Sequence, residues 1–212
     1  MLDIGSFYLA SLAILDLFWS GITQIWKGWS QMKMAKNLTV LNLTGYYYLQ
    51  KTPNLSAHAN LERLVLIECR NLVKIDKSIG QLKCLVSLDV RYCLELSRLP
   101  GELGELEALK ELLLDSTPIK NIPEIQGMKN LRIISAHRCN EIAQLPLSIG
   151  GLASLEYLYL SGYLSLERLP DSIGKLKSLI EFDISRSGIK ELPHSLQTIE
   201  KPEAIRGEFN CC

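Results

Sequence analysis

The chain carries no net charge, because its 23 lysines and arginines match its 23 aspartates and glutamates. That balance removes any global field that would steer it toward nucleic acid or an anionic membrane. Long hydrophobic runs are missing as well. The apolar stretch Ile4 to Leu15 is bounded by Asp3 and Asp16 and has no lysine or arginine before it. It is too short to span a bilayer and lacks the basic start of a signal peptide. Histidine is scarce, with only His58, His137 and His194, and no G-x-S-x-G, H-E-x-x-H or C-x-x-C pattern accompanies them. No G-x-x-x-x-G-K-[ST] cradle for nucleotide phosphates occurs either. These absences argue against an enzyme. No catalytic residue, cofactor or metal site is expected, and zinc in particular would need clustered ligands.

What is present is a period. Leu155 to Pro170 reads LEYLYLSGYLSLERLP, an L-x-x-L-x-L strand signature followed by a tight corner and an L-x-x-L-P run. The same frame recurs with leading residues Leu12, Leu38, Leu61, Leu85, Leu109, Leu131, Leu155 and Leu179, at intervals of 26, 23, 24, 24, 22, 24 and 24 residues. Those spacings fit leucine-rich repeats. Side chains alternate along a strand, so Leu64 and Leu66, Leu88 and Val90, and Leu158 and Leu160 should point inward. The expected fold is an α/β leucine-rich-repeat solenoid, a horseshoe with a parallel sheet on its concave face. After each L-P corner, S-I-G-x-L-x-x-L segments at Ser78, Ser148 and Ser172 predict short helical or 3₁₀ turns on the convex side. Pro100, Pro123, Pro146, Pro170 and Pro193 start those segments, where no sheet hydrogen bond is needed.

The six cysteines are not a disulfide framework. Cys69, Cys93 and Cys139 take one slot just past the strand of their own repeats, so they are read as buried, reduced thiols in a reducing compartment. Tyr46 and Tyr163, or Ser20, Thr117 and Ser187, fill the equivalent corner elsewhere. A hydroxyl or thiol there can donate to a backbone carbonyl of the neighbouring repeat, which would otherwise be buried unpaired. The sequons at Asn37, Asn42 and Asn54 are read as accidental, since they matter only in a secreted chain. Cys211-Cys212 looks like a prenylated ending, but there is no C-a-a-X box and no GTPase fold to present it.

One domain of about eight repeats is expected over residues 1–196, with an irregular tail over 197–212, where Pro202 replaces the next leading leucine. The absence of a polar cap before Leu12 suggests a piece of a longer assembly.

Several strings go beyond a generic solenoid. They are Ile22-Thr23-Gln24-Ile25-Trp26-Lys27-Gly28, Lys51-Thr52-Pro53-Asn54-Leu55-Ser56 and Ala59-Asn60-Leu61-Glu62-Arg63-Leu64. With C-x-x-L-x-x-L-P and S-I-G-x-L-x-x-L, they resemble the N-terminal leucine-rich repeats of plant intracellular disease-resistance proteins of the TIR class. The resemblance covers residues 4–196 and is most specific in the first sixty. Asn54 stands where that family usually has aspartate, and Tyr46 and Tyr163 replace a usual cysteine. It implies a protein-recognition module for effector sensing or autoinhibition in the defense response. The implied partner is a pathogen effector, a guarded host protein, or the receptor's own nucleotide-binding domain. The implied compartment is the cytoplasm, with the nucleus as the alternative. A stand-alone intracellular leucine-rich-repeat scaffold in signal transduction is the competing reading. An extracellular ectodomain would need a signal peptide and capping cysteines.

Concave strand positions supply the candidate site: Arg63, Asp89, Arg91, Tyr92, Asp115, His137, Arg138, Tyr157, Tyr159, Asp183 and Arg186. Stacking should gather His137, Arg138, Tyr157, Tyr159 and Arg186 into one aromatic and basic cluster, of the residue types that dominate interface energetics. A second candidate is an inter-domain patch of Phe18, Trp19, Trp26 and Trp29.

Overall fold

A computed structural model describes residues 9–21, 28–199 and 204–207. Trp26 and the Cys211-Cys212 ending lie outside these residues. Among the described residues, nine three-residue strands form one parallel sheet in which each strand pairs with the next along the chain. They are β1 (Ile14–Asp16), β2 (Val40–Asn42), β3 (Arg63–Val65), β4 (Ser87–Asp89), β5 (Glu111–Leu113), β6 (Ile133–Ser135), β7 (Tyr157–Tyr159), β8 (Glu181–Asp183) and β9 (Ala204–Arg206). The architecture is the leucine-rich-repeat solenoid that the period predicts.

Register follows the leucines. Leu15, Leu41, Leu64, Leu88, Leu112, Ile134, Leu158, Phe182 and Ile205 are direct partners from strand to strand. From Leu41 to Phe182 this row is fully buried, as are Leu66, Val90 and Leu160 two positions on. Burying a leucine contributes about 1.5–3 kcal/mol, so a shifted register would forfeit a whole row of such terms. Leu12, Leu15 and Leu17, which fall in the same frame, are only partly buried, because among the described residues β1 pairs on one side alone.

The convex side carries short 3₁₀ turns at 77–81, 101–105, 147–151, 171–175 and 194–198. Pro100, Pro146, Pro170 and Pro193 hold extended backbone immediately before four of them, while Asp76 caps the first by accepting from the Ser78 amide at 3.0 Å. No 3₁₀ turn forms after Pro123, in the repeat whose interval is 22 residues. The orphaned Ile125 amide there donates to Ser148 Oγ of the next repeat at 3.1 Å, and Leu55 does the same to Ser78 Oγ at 2.9 Å. The serine of the S-I-G segment thus repairs irregular backbone one repeat upstream.

The corner thiols make the ladder that the pattern implies. Cys69, Cys93 and Cys139 donate to the carbonyls of Leu43, Leu66 and Leu114 at 3.2, 3.1 and 3.1 Å. Thr117 differs, donating at 2.7 Å to Leu114 O within its own repeat. Burial raises the Cys69 thiol to about 12, and raises Cys93 and Cys139 too. The sequon asparagines have internal work: Asn37 Nδ2 donates to Ala10 O, and Asn42 and Asn54 accept from the amides of Thr44 and Ser56.

Within the stretch read as an irregular tail, Ala204 to Arg206 forms β9 and pairs with β8. The reason is that edge pairing is a main-chain interaction: Ala204 N donates to Ile180 O and Ile184 N to Arg206 O. It needs no leucine frame, and Ile205 and Arg206 stay largely exposed.

Candidate functional site

Each of β1 to β8 ends in a corner whose last residue before the corner slot has positive φ. The column runs Trp19, Gly45, Glu68, Tyr92, Ser116, Arg138, Gly162 and Arg186, with φ between 49° and 79°. Left-handed backbone is disfavoured for residues with a Cβ, so the turn must be held by its surroundings. Side-chain acceptors at strand ends help: Asp16, Asn42, Asp89 and Asp183 accept from the amides of Phe18, Thr44, Arg91 and Ser185 at 2.9–3.2 Å. β6 ends in Ser135, whose hydroxyl is turned to Asp115 rather than to its own corner. Asp115 of the preceding repeat caps that corner instead, accepting from Ser135 Oγ at 2.6 Å and from the His137 amide at 2.9 Å.

This accounting divides the candidate residues. Asp89 is buried and grips Arg91 in a two-pronged pair, with Nε to Oδ1 at 2.9 Å and Nη2 to Oδ2 at 2.7 Å. Hydrogen bonding to Asp89 raises the Arg91 pKa further. Asp115 and Asp183 are corner caps. Arg63 and Tyr92 are exposed but stand apart on β3 and at the fourth corner.

The remaining five do come together at the β6–β8 end. His137 stacks on Tyr159 with ring centroids 5.3 Å apart, and Tyr159 on Tyr157 at 6.3 Å. His137 Nδ1 shares a 2.5 Å hydrogen bond with Ser161 Oγ, and Tyr159 OH donates to Glu181 Oε2 at 3.2 Å. Burial first, then that carboxylate, raises the Tyr159 phenol. Beside the rings lies a shallow hollow of about 410 Å³, lined by His137, Arg138, Ser161, Gly162, Ser185 and Arg186. Gly162 is the residue that the sequence reading treated only as a corner. Its place between Arg138 and Arg186 in the positive-φ column is the signal that identifies it.

At the other end of the sheet, Phe18 and Trp19 are exposed and meet edge to face at 6.2 Å. Trp29 does not join them; it packs on Tyr46, with centroids 5.9 Å apart, against the core. An exposed apolar flank missed by the sequence reading, Tyr47, Tyr48, Val73 and Leu94, follows the corners of the second to fourth repeats. His58 is a buried core histidine whose Nδ1 lies 3.1 Å from Ala35 O. Among the described residues no group of three or more histidine, cysteine or acidic side chains is placed to hold a metal. No helix among them is long and apolar enough to cross a membrane.

Comparisons with known proteins agree with the repeat frame. The chain is 30% identical over 171 residues to the disease resistance-like protein DSC1 of Arabidopsis thaliana, spanning 78% of this chain and 14% of that protein. It is 38% identical over 142 residues to the TMV resistance protein N of Nicotiana glutinosa, spanning 65% of this chain and 12% of that protein. The chain therefore spans only 12 to 14% of the length of these relatives. Among solved structures, the leucine-rich-repeat domain of the type III effector XopL superposes with a TM-score of 0.68 at 22% identity, over 82% of this chain and 70% of that one. Internalin C2 from Listeria monocytogenes superposes with a TM-score of 0.62 at 20% identity, over 94% and 82% of the two chains. Both show a shared fold. No protein-family model matches the chain.

Proposed function

The chain is a leucine-rich-repeat homologue of plant TIR-type disease-resistance proteins, and from that premise we propose that it is a non-enzymatic protein-recognition module of plant immunity. The observation that carries the reading is the ring stack of His137, Tyr159 and Tyr157 beside the exposed Arg138 and Arg186. Aromatics and arginines supply most interface energy, and the rings do so at little entropic cost. They stand on or just after β6, β7 and β8, each of which pairs with a strand on both sides, so the face is organised before a partner arrives.

In this reading the module works in the cytoplasm, and the concave residues contact a pathogen effector, a guarded host protein or the receptor's own nucleotide-binding domain. The exposed Phe18–Trp19 pair is the proposed contact for a neighbouring domain, while Trp29 belongs to the core. The test is to place a photo-crosslinking residue at Tyr157 on the concave face or at Lys175 in a convex turn, in plant cells. Adducts from position 157 and not from 175 are expected, and their loss on combining the probe with Arg138→Glu and Arg186→Glu. Crosslinks only from position 175 would move the recognition surface to the other side.

A further inference from the structure

Arg138 and Arg186 occupy the same corner position two repeats apart, about 10 Å at the backbone by strand spacing. The residue between them is Gly162, which has no side chain. A Cβ placed on Gly162 would sit 3.5 Å from Arg138 Cγ, so the arginine stem lies over the glycine and forms one wall of the hollow. Neither guanidinium has an ion pair or hydrogen bond among the described residues. The acidic groups at this end of the sheet are already engaged. Asp115 holds Ser135 and His137, Glu156 holds Arg132, Glu181 holds Arg206 and the Tyr159 hydroxyl, and Asp183 holds Ser185. Two neighbouring cations therefore face one hollow with no counter-ion among the described residues.

We propose that the Arg138–Gly162–Arg186 saddle is a socket for a carboxylate side chain of an acidic protein segment, with an apolar side chain of that segment lying on the adjacent Tyr157–Tyr159–His137 rings. This deepens the concave-face reading above and rests on it. The floor favours a carboxylate because its backbone amides are taken: Arg138 N donates to Ser161 O and Gly162 N to Ser185 O. The Ser185 hydroxyl is likewise committed to Asp183 at 2.6 Å. What is left is a pair of guanidinium forks, whose parallel N–H groups match carboxylate oxygens. The ring stack beside them offers an apolar surface.

The test uses the full chain with labelled arginine side chains and two peptides, Gly-Phe-Gly-Glu-Glu-Gly and its Gln-Gln counterpart, followed by NMR titration. Arg138→Gln and Arg186→Gln assign the two Nε–H signals. The glutamate peptide should shift both signals and bind at least ~10-fold more tightly than the glutamine peptide. Gly162→Asp places a carboxylate in the saddle and should reduce that preference to nothing. Gly162→Asn has the same shape, and asparagine and aspartate both tolerate positive φ, so it should retain the preference. Unchanged far-UV spectra would show that both variants fold. Equal binding of the two peptides with shifts at Tyr157 and Tyr159 overturns the socket and leaves the recognition face standing, as does wild-type preference in Gly162→Asp. Absence of shifts at every concave residue with either peptide overturns the socket and counts against the face.

Discussion

The indole of Trp19 covers the side-chain position of Gly45, its counterpart in the next repeat. A Cβ built on Gly45 would come within 2.5 Å of Trp19 Cδ2. Arg138 leans over Gly162 in the same way, so both glycines of the positive-φ column receive the side chain of the preceding corner. Gly45→Ala should lift the indole away and cost about 1–2 kcal/mol for left-handed backbone at an alanine. The Trp19 indole N–H signal, assigned through Trp19→Phe, should move while the Trp29 signal stays. An unmoved Trp19 signal would refute the contact.

Asp115 joins the fold to the candidate site, since its carboxylate fixes the corner that presents His137. Asp115→Ala leaves the Ser135 hydroxyl and the His137 amide without their acceptor, at a cost of about 1–3 kcal/mol. Asp115→Asn keeps a carbonyl oxygen there and should recover most of the loss. Urea unfolding of the three proteins decides it, and an alanine variant as stable as wild type would show that the cap contributes nothing.

Asp76 gives the fold an acid-sensitive contact. The Lys51 ammonium, 2.8 Å away, and then the Ser78 amide hold its carboxyl at about 2. An unfolded aspartate titrates near about 3.9. A depressed folded value means the stabilisation is fully present above the unfolded value and is lost as pH falls from there through about 2. Melting temperatures measured from pH 6 down to 2 should show wild type above Asp76→Asn, with the gap closing across that window. Parallel curves throughout would show that the pairing does not stabilise the fold. Lys51 is half exposed, so salt should narrow the gap.

Much of this was legible because a solenoid core is one-dimensional. Leu64, Leu88 and Leu158 announce their burial by position alone, and so do the thiols of Cys69, Cys93 and Cys139, since each recurs in a slot that the frame defines. What escaped the reading depends on contacts across repeats of unequal length. Asp115 caps a corner 22 residues downstream, and nothing in its own repeat points there. Asp89 and Arg91 read as concave binding residues, but at two-residue spacing on one edge they satisfy each other. Gly162 gains its meaning only once Arg138 and Arg186 are stacked on either side. β9 escaped because main-chain pairing leaves no trace in side-chain pattern.

Cys93 tests the buried-corner ladder most sharply. Its thiol is fully buried and donates to Leu66 O at 3.1 Å, and its pKa is raised chiefly by burial, so it stays protonated at neutral pH. Cys93→Ser retains a donor of similar size and should cost about 1 kcal/mol, the scale of one net hydrogen bond. Cys93→Arg buries a cation with no carboxylate partner in the corner ladder and should cost several kcal/mol. In a solenoid each repeat contacts only its neighbours, so the damage should centre on the fourth repeat and spread outward. Hydrogen exchange of Cys93→Arg should therefore show β3, β4 and β5 losing protection together, before β7 and β8. Maleimide mapping offers a second reading of the same state: the exposed Cys84 should label in native wild type, and Cys69, Cys93 and Cys139 only after unfolding. A Cys93→Arg protein in which Cys69 remains protected and melting is unchanged would mean that the corner has room for a charge, and the ladder would lose its structural role.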